Sequence, residues 1–270
     1  MVLVTTVLEA PARRTTRVPR PPAVIIGVVV SWITLVLVVD AHATLLLQWG
    51  LGAATWGVLV ALLARESVVV RVQTAVVVVF ASIIELTFSP LLEVYIYRFH
   101  NLPMYVPPGH GLVYLAALAV GRLAWVQAHS RGCMAAVLVV GGGWSAYGVL
   151  LADRTDALGA FWFVCLAAFL LFGPSRGVYI GAFVVVSYLE LLGTSLGTWT
   201  WQTHDPTGLV SIGNPPSGAP GGYGWFDLAA LLLSPWIVGR LHRWRGARRR
   251  LTSAEAEVTP PRGQAADPAG

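Results

Sequence analysis

The chain has 270 residues, 56% hydrophobic and 11% charged, with a mean hydropathy of +0.69. Soluble domains carry about 25% charged residues, and a water-soluble core of this length cannot hide so much apolar surface, so the chain reads as an integral membrane protein. All 18 basic residues are Arg and most lie toward the two ends, so the net charge of +5 reads as an orientation signal and not as a nucleic-acid footprint.

A spanning helix needs about 20 mostly apolar residues. An Arg-rich segment, 1–21, precedes the first apolar run, 22–40. With Ala41-His42-Ala43 behind it, this run has the layout of a signal peptide. It is longer than the usual core of about 7–15 residues and its arginines sit late, so it is read as a span. Further runs follow at 44–64, 69–89, 109–128, 134–151, 157–173, 177–197 and 222–241. Residues 242–270, rich in Arg, Glu and Pro without apolar periodicity, read as a disordered cytoplasmic tail. With the N-terminus inside, 16 arginines fall on the inner side and only Arg98 and Arg154 on the outer. Positive charge marks the cytoplasmic face. The expected fold is therefore all-α, a polytopic bundle of about eight transmembrane helices in the cell membrane with both termini cytoplasmic.

The transmembrane region, 22–241, matches itself across two halves, about 22–128 and 134–241. Glu85 ends the third run and Glu190 lies near the end of the seventh. About ten residues beyond each acid stands an aromatic-x-aromatic pair, Tyr95 and Tyr97 or Trp199 and Trp201. Then come VPPGHGLVYLAAL (106–118) and NPPSGAPGGYGWFDLAALL (214–232), each a double proline leading through glycines into an LAAL helix. Four spans per half make the repeats parallel, related by an axis along the membrane normal, with a site expected at their interface.

Polar residues sort by depth. Asp40, His42, Glu85, His110, Glu190 and Asp227 all fall in the outer half, whereas the inner half holds little that ionises apart from Arg at helix ends. An acid in a span costs about 2.5–3.5 kcal/mol on insertion scales and marks an interior, functional position. His110 and Tyr114 share a helix face, as do Tyr223 and Asp227. In the repeat alignment His110 matches Tyr223 and Tyr114 matches Asp227. The PPG and PPSG segments read as stiff outer turns, and Asp40 with His42 as an ordinary turn. A carboxyl group withdrawn from water favours its neutral form and can act as a general acid; aromatic walls can stabilise a cation. The expected catalytic set is Glu85, Glu190, Asp227 (as counter-charge) and His110. Tyr95, Tyr97, Tyr114, Trp199, Trp201 and Tyr223 are expected to line the substrate site. The expected chemistry is acid–base cyclisation, hydration or isomerisation of a lipid-soluble molecule.

Other motifs fall away on context. Gly193-Thr194-Ser195-Leu196-Gly197 matches GxSxG but ends a membrane helix, not a strand. The outer histidines lack HxxxH or HExxH spacing, so no metal is expected. Cys133 and Cys165 make neither a disulfide framework nor a zinc site. Without Lys there is no Schiff base and no GxxxxGK(S/T) loop; without GxGxxG or DDxxD, no cofactor is expected. ELLGTSLGTWTW (190–201), through Glu190, Gly193, Thr194, Gly197, Trp199 and Trp201, resembles the signature of bacterial polytopic carotenoid hydratases and lycopene-cyclase-type membrane proteins, with Glu85, Tyr95 and Tyr97 echoing it. That resemblance implies an isoprenoid substrate and no redox cofactor, and the expected substrate is an isoprenoid or polyketide-like lipid. A proton-coupled transporter of a small hydrophobic molecule is the alternative, since parallel repeats and buried acids suit it as well.

Overall fold

A computed structural model describes residues 20–258. Among them are nine α-helices: α1 (Pro22–Asp40), α2 (Leu45–Leu63), α3 (Val68–Leu86), α4 (Val106–Gly121), α5 (Ala124–Ala128), α6 (Ser130–Leu150), α7 (Ala157–Phe172), α8 (Arg176–Ser195) and α9 (Ala219–Val258). A π-helical turn, Thr87–Leu91, extends α3, and two short strands, β1 (Tyr95–Tyr97) and β2 (Trp199–Trp201), pair with each other. Helix starts carry local signals: the side chains of Thr44, Ser67 and Asp156 accept from the N–H three residues on, at the heads of α2, α3 and α7.

Among the described residues, five helices are long and apolar enough to cross a membrane: α1, α2, α3 with its π turn, α6 and α8. Their outward faces present large apolar side chains such as Leu46, Val60, Val79, Val139 and Leu150, the surface that lipid matches and water does not. α4 and α7 are apolar but only 16 residues long. α4 packs on α1, α3 and α8, and α9 packs on α3, α7 and α8. Twelve of the 16 residues of α4 are buried, which is why its sequence is apolar all round and without an amphipathic stripe. α8 comes close to it at Gly181, where a methyl group would collide with the Ala117 backbone; small residues permit such crossings.

The ends of α1, α3 and α8 and the starts of α4, α7 and α9 lie toward the β ribbon. The end bearing the β ribbon holds Arg98 and Arg154, which donate to backbone carbonyls there. At the far end Arg20 and Arg71 donate to the last carbonyls of α2, and Arg176 to Leu170 in α7. Cations at helix C-termini satisfy otherwise unpaired carbonyls and the helix dipole.

Three boundaries differ from the sequence reading. The run 109–128 is two helices, because Leu123 takes an extended conformation between α4 and α5. The PPG segment is the first turn of α4 and no loop, since proline at the first helical positions gives up only N–H groups that lack partners anyway. α9 continues to Val258 through a stretch read as disordered; its Ala, Arg, Leu and Glu are strong helix formers, and no proline stands between Pro235 and Pro260. The rest of that tail, 259–270, and most of the N-terminal segment lie outside the described residues.

Candidate functional site

Two helix ends build the site. At the end of α3, Pro90 has no N–H to give the helical ladder. The chain widens, with Leu92 N–H donating to Thr87 O five residues back; such π turns frequently mark functional sites. Glu93, at φ 50°, then turns the backbone into β1. At the end of α8, Gly197 adopts φ 68° and terminates the helix. Gly193 supplies space: a Cβ there would fall inside the Trp199 ring. This accounts for the GxSxG string. Ser195 is exposed and donates to Leu192 O, a helix-end contact.

β1 and β2 run antiparallel, pairing Tyr95 with Trp201, Ile96 with Thr200 and Tyr97 with Trp199. Alternate residues of a strand share one face, so all four aromatic rings turn the same way, toward the two acids. Tyr97 OH donates to Glu85 Oε2 (2.9 Å), and the Tyr95 hydroxyl is turned to the same carboxyl. Trp199 Nε1 and Trp201 Nε1 both donate to Glu190 Oε2 (3.1 Å each). Glu190 Oε1 takes no hydrogen bond among the described residues. Glu85 Oε1 lies 3.3 Å from His110 Nε2, close enough for an ion pair but off the line of a good hydrogen bond.

The histidine tautomer follows from its other nitrogen. His110 Nδ1 is 3.1 Å from Val106 O. A carbonyl only accepts, so Nδ1 carries the proton and Nε2 presents a lone pair to Glu85 unless the ring is protonated twice. Nε2 thus faces Glu85 Oε1 as an acceptor, the arrangement that a proton on either group can bridge.

These groups line one cavity of about 310 Å³. Glu85, Glu190, His110, Tyr95, Tyr97, Trp199, Trp201 and Tyr223 all face it, and apart from Thr55 the remaining wall is apolar and aromatic, including Trp32, Phe80, Trp162 and Phe226. His110 and Tyr223 stack with ring centres 5.0 Å apart, both contacting Phe226 edge-on. Tyr95 and Trp201 lie 4.4 Å apart, and Trp162 abuts Trp201. An enclosure of this kind suits an uncharged, largely hydrocarbon molecule that meets a few fixed proton-active groups.

Two expected site residues are not on the wall. Tyr114 and Asp227 are buried one helical turn further along α4 and α9, outside the cavity lining, so Asp227 is no direct counter-charge to its contents. Asp40 is no ordinary turn residue: it is fully buried and accepts from Gln48 Nε2 and Tyr105 OH, both at 2.9 Å. His42 is exposed.

The sequence reading missed a clasp over the ribbon. The Asp156 carboxylate accepts three backbone N–H groups, from Gly159 (2.9 Å) and Gly213 (2.8 Å) on Oδ1 and from Ser217 (2.7 Å) on Oδ2. Arg154 donates to the carbonyls of Trp201, Gln202 and Ile212, and Asn214 Oδ1 accepts from Trp201 N–H. Together they tie segment 201–217 to the head of α7 and hold β2 at Glu190. At the tip of that segment Asp205 accepts from Thr207 and from the Val210 and Leu209 N–H groups, which holds its carboxyl below the usual range. The available signal was an acid before an apolar run, the mark of a helix cap. Among the described residues, no group of three or more His, Cys, Asp or Glu side chains is arranged to hold a metal ion. A scan against protein-family models, a search of curated proteins and a search of solved structures each returned no match.

Proposed function

We propose that this protein is a cofactor-independent membrane enzyme that cyclises, hydrates or isomerises an alkene-bearing, isoprenoid-like lipid by acid–base chemistry. The observation that carries this reading is the pair of buried carboxyls, each held by its own aromatic donors, facing one apolar cavity.

In this reading the protein sits in the cell membrane with eight spans and both termini cytoplasmic, as two parallel repeats about a pseudo-twofold axis. The ribbon register supports the repeat: a twofold through Ile96 and Thr200 carries the pair Tyr95–Trp201 onto Trp199–Tyr97. Helix neighbours agree, since α4 lies on α8 as α9 lies on α3, and the matched residues His110 and Tyr223 stack on each other. The arginine distribution supports the orientation. A reporter fused after Arg176 is expected to be cytoplasmic; an external signal there would break the topology.

Glu190 is the acid. Its free oxygen, Oε1, delivers a proton to an alkene carbon, and the two indole N–H groups on Oε2 stabilise the carboxylate that remains. The cation formed on the substrate is faced by Tyr and Trp rings. The Glu85–His110 pair is the base: it removes a proton from a neighbouring carbon, or from a water that adds to the cation. One proton enters the substrate and one leaves, so the cycle closes without net charge once the proton returns to Glu190. No redox partner is involved.

Mass-spectrometric profiling of solvent extracts from cells with the gene, without it, and with Glu190→Gln tests the reading. The expected result is a precursor that accumulates in both deficient strains, with a product that differs by zero or one water. One compound present in all three strains, merely shifted between cells and medium, would replace the enzyme with a transporter.

A further inference from the structure

A second set of buried polar side chains begins one helical turn from the cavity, at Tyr114 and Asp227, and continues away from the ribbon to Tyr179 and Ser234. Tyr114 on α4, Tyr179 on α8, and Asp227 and Ser234 on α9 are 1%, 0%, 4% and 0% exposed. Even so, both tyrosine hydroxyls, Asp227 Oδ2 and Ser234 Oγ have no hydrogen-bond partner among the described residues. Tyr114, Tyr179 and Asp227 are neighbours. Tyr114 packs in one cluster with Val178, Phe226 and Ala230, and both phenols lie within electrostatic range of Asp227. Asp227 and Ser234, seven residues apart, share a face of α9. Between them, Leu231 has a carbonyl whose helical donor position is taken by Pro235, which has no N–H.

Buried polar groups take partners from the protein or from ordered water, and a buried water makes two to four bonds to groups that otherwise have none. Unpartnered polar atoms on three packed helices, with both phenols within electrostatic range of the Asp227 carboxyl, define such a site. We propose that Asp227, Tyr114 and Tyr179 enclose bound water and hold a proton that can be exchanged with the cavity acids. Tyr223 stands one turn before Asp227, faces the cavity, and lies within electrostatic range of both Glu85 and Glu190. A proton leaves the Asp227 carboxyl for the bound water. The water passes a proton to the Tyr223 hydroxyl, which releases its own to the Glu85–His110 pair. Asp227 becomes a carboxylate, the pair gains one proton, and no bond to carbon changes. The other ionisable groups facing this route are Glu190 on α8 and, at the far end of α4, Arg122, which pairs with Glu66 at 3.2 Å.

The purpose of the route rests on the roles proposed for the cavity acids, but its existence is testable without substrate. Infrared spectra of the full-length protein in lipid nanodiscs resolve protonated carboxyl C=O bands and their shift in D2O. Asp227→Asn is expected to remove one exchangeable band and to slow deuteration of those remaining by about 100-fold, the order of a lost positioned acid–base group. Tyr114→Phe with Tyr179→Phe is expected to keep every carboxyl and shift the Asp227 band alone, which preserves the test if the Asp227 variant does not fold. An Asp227 band that resists deuteration in the wild type, or cavity bands that exchange at unchanged rate in Asp227→Asn, would overturn the proposal. These bands persist if no lipid product is ever found, so the two readings fail separately.

Discussion

Glu190→Gln is expected to lower turnover by about 100- to 10,000-fold, the usual contribution of a general acid, with the protein present in the membrane at the wild-type level. The side-chain geometry makes this substitution informative. A glutamine keeps an amide oxygen for the Trp199 and Trp201 indoles, so the ribbon stays anchored while the transferable proton is gone. Glu85→Gln is expected to fall in the same range for a complementary reason. The amide oxygen still accepts from Tyr97, but the amide NH2 occupies the His110 Nε2 lone pair. The shared proton is then replaced by one that does not move. Turnover measured beside membrane abundance checks both; two variants at full activity would remove the acids from the mechanism.

The second large effect is structural. Asp156→Ala leaves the N–H groups of Gly159, Gly213 and Ser217 without their acceptor. Each buried group left unsatisfied costs about 1–3 kcal/mol, so the loss is expected to be about 3 kcal/mol or more. Asp156→Asn is expected to be milder and more selective. Its amide oxygen can serve the Gly159 and Gly213 donors, while its NH2 opposes Ser217 N–H and loosens the turn after Asn214. Thermal unfolding in detergent orders the three proteins as wild type, Asn, Ala. Equal stability of wild type and Ala would mean that the clasp holds nothing. Because β2 hangs from this clasp, Trp199 and Trp201 fluorescence is expected to shift with it.

The acids were legible because charge within an apolar run is costly and conspicuous. The aromatic pairs were legible as a repeated motif, but not that each is a strand whose two rings share one face. Depth along a helix was harder. His110 and Tyr114 do lie on one face, as do Tyr223 and Asp227, but four residues advance a helix by about 6 Å. That step carries Tyr114 and Asp227 beyond the cavity. Long-range backbone contacts left no trace in the local pattern: nothing near Asp156 announces Gly213 or Ser217, and nothing near Asp40 announces Tyr105. The short α4 reads as an ordinary span because its composition is the same whether lipid or protein surrounds it. Only the packing of α1, α3 and α8 around it distinguishes the two.

The most direct measurement is made in D2O, with the purified protein in lipid vesicles and the precursor that accumulates in the Glu190→Gln strain. Protonation of an alkene by a cavity acid is expected to leave one non-exchangeable deuterium on carbon in each product molecule, and Glu190→Gln is expected to abolish it. Unlabelled precursor that only crosses the vesicle membrane would contradict the account and identify a carrier.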